Sequence, residues 1–329
     1  MKIFISGASG YLGQKLAWKL ADSDNKISVL IRNPKKFSYL NHPNITIFQG
    51  DVMKLDDIRR AILDCEHVYH LAALVNEWSV HPNEILKTNV EGTKNMLQVA
   101  EDVGVEKFIQ ISASCAIGPS LVKENKESTP RWSSFNSTYE ISKFLADKEV
   151  LQRIATGFPG LIVYPTRVFG PGVHSEGALV NRIIGQFLKN KVAFVPQEHP
   201  FINNYAFIDD VVNGIIKSGI SGKIGEKYIL GGENIQLQEL FRTIKKINKN
   251  SGWIFKVPMS ALQAYSWTAK QTIGYFDKDK VATPDMINNL KQNFEFNSTK
   301  ASKELNYQIT PFDLAMEKTI SAILNKPVL

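Results

Sequence analysis

The chain has 329 residues, of which 43% are hydrophobic and 22% charged, as is typical of a soluble globular protein. This length accommodates one large α/β domain, alone or with a smaller lobe. No run of about eighteen apolar residues occurs, so no membrane span is predicted. The net charge of +7 suits nucleic acid and a phosphate-rich cofactor or substrate equally well. Because the sequence lacks a basic motif interleaved with aromatic residues, we predict no nucleic-acid partner.

The N-terminus and the cysteines together favour the cytoplasm. The N-terminus leads directly into an apolar strand pattern, which leaves no room for a signal peptide. Cys65 and Cys115 are the only cysteines, and their spacing is unlike that of metal ligands. We therefore predict reduced thiols, no metal site and a cytoplasmic protein.

The first thirteen residues predict a dinucleotide site. Ile3–Ile5 forms a short apolar strand pattern, and Gly7, Gly10 and Gly13 follow at three-residue spacing before a helical pattern begins. Glycine permits a tight turn and lets a diphosphate approach the backbone. The free N–H groups and the dipole at the start of the helix then attract its negative charge.

The end of the second strand pattern, Ile27–Ile31, indicates which dinucleotide is bound. Arg32 stands at the position where dinucleotide-binding folds contact the adenosine ribose. An acidic residue there would bind the 2′-hydroxyl and repel a 2′-phosphate, whereas Arg32, Lys35 and Lys36 offer charge-assisted hydrogen bonds to a phosphate. We therefore predict NADP(H) rather than NAD(H); the alternative is that these are ordinary surface cations.

Strands and helices alternate over the first part of the chain. Further strand patterns lie at Ile45–Phe48, Val68–Leu71 and Phe108–Ile111, with helical patterns near Leu55–Leu63 and over Asn83–Val103. This alternation predicts an α/β Rossmann fold with a doubly wound parallel sheet. Ligands of such sheets bind beyond the carboxyl ends of the strands.

Several residues at these strand ends have specific expectations. Asp51 would cap the following helix, hold the adenine amino group, or do both. The small side chains of Ala72 and Ala73 would let the backbone pass close to a cofactor. We interpret His70, in the same segment, as a packed strand residue rather than a catalyst.

A polar segment over 118–137 predicts a loop able to close over substrate. Tyr139 and Lys143 follow it, four residues apart on one face of a predicted helix. A phenol is a poor acid or base at neutral pH, but a neighbouring lysine cation favours the phenolate. A surface Tyr–Lys pair is the alternative. The position one strand and one loop after a serine-rich strand end favours the catalytic interpretation.

The ordered motifs resemble those of the extended short-chain dehydrogenases/reductases over almost the whole chain. The matching segments are SGASGYLG (6–13), HLAA (70–73), NVEGT (89–93), YEISK (139–143), YPTRVFGPG (164–172), FIDDVV (207–212) and EKYILGGEN (226–234). The chain is most similar to the branch of dihydroflavonol reductases and 3β-hydroxysteroid dehydrogenases. Sugar-nucleotide epimerases and dehydratases are the nearest rivals, but many of them carry an acid at the position of Arg32. They also often carry an arginine within the segment that is Ile202–Ala206 here.

The resemblance implies roles for individual residues. Tyr139 would exchange a proton with the substrate, Lys143 would hold the nicotinamide ribose, and Asn89 would order a water that relays protons. The implied cofactor contacts are Gly7, Ser9, Gly10, Tyr11, Leu12, Gly13, Arg32, Lys36, Asp51, Val52, Leu71, Ala72, Ala73, Ser112, Tyr139, Lys143, Tyr164, Pro165 and Val168.

One position departs from the family pattern. Relatives carry a Ser or Thr two residues after the fifth strand, where this chain has Ala113 between Ser112 and Ser114. Successive residues of an extended segment point to opposite faces, so a neighbour does not substitute automatically. Either the strand end is bulged and Ser114 or Ser112 meets the substrate oxygen, or the site works without this hydroxyl. We favour Ser114.

The regular alternation ends near Gly172. We predict a Rossmann dinucleotide-binding domain over residues 1–172, with a return segment at about 203–232. Residues 173–202 and 233–329 are expected to form a smaller α+β substrate-binding lobe.

Two helices of the later part carry further expectations. We expect the helix near 209 to be capped by Asp209 or Asp210. An aromatic-rich helix over 261–275 would wall an apolar pocket, contact a partner or membrane surface, or pack within the lobe.

The expected function is an NADP(H)-dependent oxidoreductase that interconverts a ketone or aldehyde and a secondary alcohol, with Tyr139 as general acid/base. The alternatives are a sugar-nucleotide epimerase or dehydratase that retains its dinucleotide, and a non-catalytic NADP-binding sensor or scaffold. The family often pairs helices into a homodimer.

Overall fold

The computed structural model describes residues 1–34, 40–75, 81–172, 177–198, 200–249, 252–271, 287 and 290–325. A seven-stranded parallel sheet lies at its centre. Its strands are β1 (Lys2–Ser6), β2 (Lys26–Ile31), β3 (Ile45–Gln49), β4 (His67–His70), β5 (Lys107–Ile111), β6 (Gly160–Pro165) and β10 (Lys227–Leu230). Their spatial order is β10-β6-β5-β4-β1-β2-β3. The chain therefore builds outward from β1 in both directions, which confirms the predicted doubly wound fold.

Helices pack around this sheet. They are α1 (Tyr11–Ala21), α2 (Leu55–Ile62), α3 (Pro82–Leu86), α4 (Gly92–Asp102), α5 (Thr138–Ala155), α6 (Leu179–Asn190), α7 (Ile208–Ser221), α8 (Leu237–Asn248), α9 (Met259–Gln271), α10 (Thr299–Leu305) and α11 (Phe312–Leu324). The central strands are apolar on both faces, as β1 shows with Ile3, Phe4 and Ile5 fully buried. Across the described ranges, no helix has the length and apolarity needed to cross a bilayer.

The helix expected over Asn83–Val103 is interrupted. Between α3 and α4 the chain makes one π-helical turn at Lys87–Glu91. A π turn holds one residue more than an α turn and is found often at functional sites. Here it carries the buried Asn89.

Two smaller sheets follow β6. One consists of β7 (Arg167–Phe169), β9 (Ile202–Phe207) and β11 (Glu233–Gln236), and the other of β8 (Val192–Pro196) and β12 (Trp253–Val257). The return segment supplies β9 to the former and β10 to the main sheet. The division into two domains stays a prediction.

The helix caps expected from acidic residues are wrong. The N-cap of α2 is Lys54, and the Asp51 carboxylate instead accepts the Met53 N–H at 3.0 Å. The N-cap of α7 is Phe207. Asp210 lies inside the first turn of α7 and accepts two hydrogen bonds from Thr310, at 2.7 and 2.8 Å. Asp209 pairs with Lys15 of α1. Distant partners therefore use both of these carboxylates.

The aromatic-rich helix lies partly at the surface. Tyr265 and Trp267 of α9 are 50% and 64% exposed, while Leu262 is buried. Residues 272–275 of the predicted helix lie outside the described residues. The exposed rings count against simple packing within the lobe.

The segment over 118–137 is held to the C-terminal part of the chain. Backbone N–H groups of Ser120 and Asn125 donate to the carbonyls of Asn293 and Glu295, at 2.8 and 2.9 Å. The Trp132 indole donates to the Pro119 carbonyl at 2.8 Å. These bonds hold the segment against residues 293 and 295, and its closure over substrate stays a prediction.

A buried ion pair joins the same segment to α5. Arg131 donates to the Glu140 carboxylate at 2.7 Å, and the two side chains are 6% and 4% exposed. Arg131 also donates to the carbonyl oxygens of Cys115, Ser133 and Ser134. One guanidinium therefore satisfies four acceptors around the start of the helix that carries Tyr139.

Replacing Arg131 with Met should leave Glu140 buried without its cation. We expect the free energy of unfolding to fall by about 3–5 kcal/mol, as is usual when one partner of a buried pair is removed. Urea unfolding followed by circular dichroism measures it. The control is Arg242→Met, whose exposed pair with Glu239 should contribute less than about 1 kcal/mol. Equal losses in the two variants would contradict a structural role for the buried pair.

Candidate active site

The glycine turn has no room for side chains at two of its three glycines. Gly7 has a φ of +73°, and a Cβ there would lie 2.7 Å from backbone atoms of Leu71 and Ala72. A Cβ on Gly13 would lie 2.1 Å from the Gly7 carbonyl oxygen. The turn is therefore packed directly against the end of β4, as close approach of a diphosphate requires.

The start of α1 is open to an anion. Its N-cap is Gly10, which has no side chain to occupy the first N–H groups, and the first turn has no acidic residue. The residues present thus fit the diphosphate of a nicotinamide dinucleotide. Ser9 lies in the turn, and Leu12 packs against the core.

Tyr11 ties this turn to the segment after β7. Its hydroxyl donates to the Gly170 carbonyl at 2.6 Å and accepts from the Asn181 amide at 3.1 Å. Burial raises the pKa of the Tyr11 phenol far above its usual range. A Cβ on Gly172 would lie 2.5 Å from the Tyr11 ring. Tyr11 therefore connects the cofactor turn to α6, which carries Asn181.

The end of β4 is held by buried polar groups. The Ser6 hydroxyl bonds the His70 Nδ1 at 2.7 Å and accepts the Ala72 N–H at 3.2 Å. Nε2 of the same ring bonds the Thr93 hydroxyl at 3.1 Å. Burial, together with the charge of Lys143, lowers the pKa of His70 to about 3. The neutral ring is a packed strand residue, as the sequence indicated.

The structure describes most of the residues predicted to contact the adenosine end of the cofactor. Arg32 is exposed directly after β2, and its guanidinium forms no ion pair with any described residue. Val52 is buried, and its carbonyl accepts the Asn95 amide at 3.1 Å. Asp51 is half-buried at the end of the neighbouring strand. Lys36 lies outside the described residues.

The helix that carries Tyr139 begins at Thr138. The Ser137 hydroxyl caps it by accepting the Glu140 N–H at 3.2 Å. Lys143, one turn further, is only 3% exposed, and its Nζ donates to the Ile111 carbonyl at 2.9 Å. Burial lowers the pKa of Lys143, and the Asp147 charge opposes that shift. The ammonium is thereby fixed at the carboxyl end of β5.

Asp147 is a site residue that the sequence reasoning missed. It lies one turn after Lys143 on the same helix face, and its carboxylate accepts the Ser112 hydroxyl at 2.7 Å. Burial raises its pKa to about 6, although the Lys143 charge and the bond from Ser112 oppose that rise. The four-residue spacing after Lys143 was the available signal.

The bond to Asp147 separates the three residues after β5. It points the Ser112 hydroxyl into the protein. Ala113 is extended, with φ −151° and ψ 147°, and Ser114 then opens a short 3₁₀ turn. The Ser114 hydroxyl makes no hydrogen bond within the described residues. This arrangement favours Ser114 over Ser112 for contact with a substrate oxygen.

Asn89 holds two elements together. Its Oδ1 accepts the Leu74 N–H at 2.7 Å, and its Nδ2 donates to the Leu74 carbonyl at 3.0 Å and to the Ser142 hydroxyl at 2.8 Å. Both ends of the amide therefore bond protein atoms. Ala73, the residue before Leu74, is half-buried. The relay water that the resemblance implies for Asn89 stays a prediction.

The remaining predicted contacts lie along β6 and β7. Tyr164 is buried, and its pKa is raised well above the usual range by burial and by Asp147. Pro165 ends β6 opposite Leu230, and Val168 pairs with Ala206 of β9. Tyr164 and Pro165 stand at the carboxyl end of β6, and Val168 lies just beyond it in β7.

Replacing Asp147 with Asn should remove a titration from the stability curve. The native carboxyl keeps its proton up to about pH 6, whereas the unfolded one loses it near pH 3.8. The native state therefore binds more protons between these values, and wild-type stability falls as the pH rises through them. We expect the free energy of unfolding of the wild type, relative to that of the variant, to decrease by about 3 kcal/mol across this pH range. Urea unfolding at stepped pH measures the difference, and a flat difference would contradict the buried titration.

Comparisons with known proteins agree with this fold. The NAD dependent epimerase/dehydratase family matches residues 3–231. A sterol demethylase protein B from Methylococcus capsulatus is 26% identical over 80% of this chain and 79% of its own. A 3-beta-hydroxysteroid dehydrogenase from Mycolicibacterium neoaurum is 21% identical over 93% and 87%. The crystal structure of gox2253 shares 29% identity and a TM-score of 0.81 over 98% and 97%. The chain belongs to the NAD-dependent epimerase/dehydratase family, and it is an NAD(P)-dependent enzyme of the extended short-chain dehydrogenase/reductase type.

Proposed function

We propose that the protein is an NADP(H)-dependent oxidoreductase that interconverts a ketone or aldehyde and a secondary alcohol. The observation that carries the proposal is the fixed Lys143 ammonium, held on the Ile111 carbonyl one helical turn from Tyr139. The pair stands at the carboxyl edge of the sheet, on the same side as the glycine turn. The substrate is a small molecule, and a homodimer and a cytoplasmic location stay predictions.

The chemistry divides between the cofactor and the chain. When bound, the nicotinamide supplies or accepts the hydride. Tyr139 gives a proton to the carbonyl oxygen in reduction and takes it back in oxidation. The Lys143 charge favours the phenolate form of Tyr139. Ser114 donates a hydrogen bond to the same substrate oxygen, which replaces the hydroxyl missing at Ala113.

The exposed cation of Arg32 supports NADP(H) over NAD(H). Arg32 follows β2 at the point where the fold meets the adenosine ribose, and it carries no ion pair with the described residues. Its guanidinium is free to bind a 2′-phosphate through charge-assisted hydrogen bonds. Many sugar-nucleotide enzymes carry an arginine in the segment that forms β9 here. This chain instead has the buried Asn203 and Asn204 in β9, which counts against a sugar-nucleotide substrate.

Tyr139→Phe should remove the proton donor and keep the cofactor site. We expect kcat to fall by about 10² to 10⁴ with NADPH affinity unchanged. Turnover followed through nicotinamide absorbance, with fluorescence titration of NADPH, tests both parts. Unchanged kcat would exclude Tyr139 as the acid. If dinucleotide instead stays bound through purification, with no net absorbance change during product formation, the epimerase or dehydratase alternative is correct.

Arg32→Asp should weaken NADPH binding by about 10- to 100-fold, because charged hydrogen bonds to the 2′-phosphate are lost and a like charge is introduced. NADH, which lacks that phosphate, should bind no worse. Titration of both dinucleotides measures the effect, with Arg242→Asp on the surface of α8 as the matched control. Preference of the wild-type protein for NADH would contradict the assignment.

A further inference from the structure

Arg167 is a half-buried cation that the proposed mechanism does not use. It begins β7, directly beyond the carboxyl end of β6. Its Nε donates to the Asn203 side-chain oxygen at 2.6 Å. The Phe201 and Phe294 rings lie 6.0 and 5.9 Å from the guanidinium carbon, and all three of these neighbours are buried. The guanidinium is therefore held at a defined place.

Among the described residues, the charge of Arg167 has no carboxylate partner. No ion pair formed by the described residues includes it, whereas Arg131 is paired with Glu140. Its two terminal nitrogens make no hydrogen bond within the described residues. A guanidinium presents a fork of donors that matches two oxygens. Because leaving such donors unmet in a partly dry place is costly, their arrangement suits a ligand that supplies an anion.

The charges of Arg167 and of Lys143 both affect the Cys115 thiol. Burial raises the pKa of the Cys115 thiol to about 12, and the charges of Lys143, Arg131 and Arg167 all oppose that rise. Cys115 directly follows Ser114 in the short 3₁₀ turn. The Val163 carbonyl of β6, the strand directly before Arg167, accepts the Ser112 N–H at 2.9 Å. Arg167 therefore begins at the same edge of the sheet as the turn that bears the proposed substrate-binding serine.

We propose that Arg167 binds a carboxylate of the substrate, so that the enzyme acts on oxo acids or the corresponding hydroxy acids. This inference rests on the proposed oxidoreductase function and deepens it. One free guanidinium matches the single charge and the two oxygens of a carboxylate. A phosphate dianion calls for further cations, and Arg131 and Lys143 are already engaged by Glu140 and the Ile111 carbonyl.

The neighbours of Arg167 give the site its selectivity. The two phenylalanine rings lie 6.0 and 5.9 Å from the guanidinium carbon, at the outer range of a cation–π contact. The bond from Nε to Asn203 fixes its orientation. A neutral residue could make that bond, so a substrate anion explains why this position carries a charge that is unpaired among the described residues.

The test uses the NADPH-loaded full chain and a panel of aliphatic and aryl oxo acids, each paired with its methyl ester. Phosphate-bearing ketones form a third arm. We expect wild-type kcat/KM to favour acids over esters. Arg167→Met should lower this acid-to-ester ratio by about 10- to 100-fold, mainly through KM for the acid. Arg167→Lys, which keeps the charge, should recover part of the ratio, and Arg242→Met should leave it at the wild-type value.

Calorimetric titration of the acids separates this inference from the function on which it rests. Acids that bind in an Arg167-dependent way without any turnover would retain the carboxylate site and overturn the oxidoreductase. Turnover of esters without preference for acids, or a ratio unaffected by Arg167→Met, would retain the oxidoreductase and overturn the carboxylate site. A preference for the phosphate arm, or a panel in which no acid binds, would also overturn it.

Discussion

One buried ammonium joins the two halves of the proposed chemistry. Lys143 extends from α5 to the carbonyl at the end of β5, so the helix that bears Tyr139 is registered against the strand that leads to Ser114. A cation in such a dry place needs polar company. Asp147, Ser112 and the Ile111 carbonyl provide it, and this explains why a cluster of polar groups lies inside an otherwise apolar layer.

Hydrogen bonds within the chain hold the polar segment beside this cluster. The Arg131 guanidinium donates hydrogen bonds to the carbonyls of Cys115 and Ser134. It also donates to the carboxylate of Glu140, the residue after Tyr139. Backbone bonds to residues 293 and 295 hold the far side of that segment. Preorganised groups avoid reordering costs when substrate arrives. The position of Tyr139 thus depends on a distant part of the chain as well as on its own helix.

The sequence predicted the features that depend on local pattern. Strand periodicity, the glycine turn and the four-residue Tyr–Lys spacing can all be recognised within a few neighbouring residues. The alternation of strands and helices predicted the parallel, doubly wound sheet. Features made by remote partners were missed. Asp210 looked like a cap because Thr310 is a hundred residues away. Arg167 looked like part of a family motif, because Phe201 and Phe294 come near it only in the fold.

The same limit applies to the serines after β5. Sequence alone left Ser112 and Ser114 as alternatives, since alternation along a strand gives faces but not partners. The structure shows Asp147 accepting the Ser112 hydroxyl from a helix that begins 26 residues later at Thr138. The Asp147 carboxylate, which the sequence did not single out, thereby directs the Ser112 hydroxyl inward.

The π turn at Lys87–Glu91 has a consequence for how this chain tolerates changes in length. Its surplus residue shifts the phase of α3 relative to α4 by about 100°, the rotation per residue of a helix. Deleting one residue there would leave both helices intact. It would, however, rotate Asn89 away from Leu74 and Ser142. The two helices would therefore tolerate a one-residue deletion that would disrupt the site beside them.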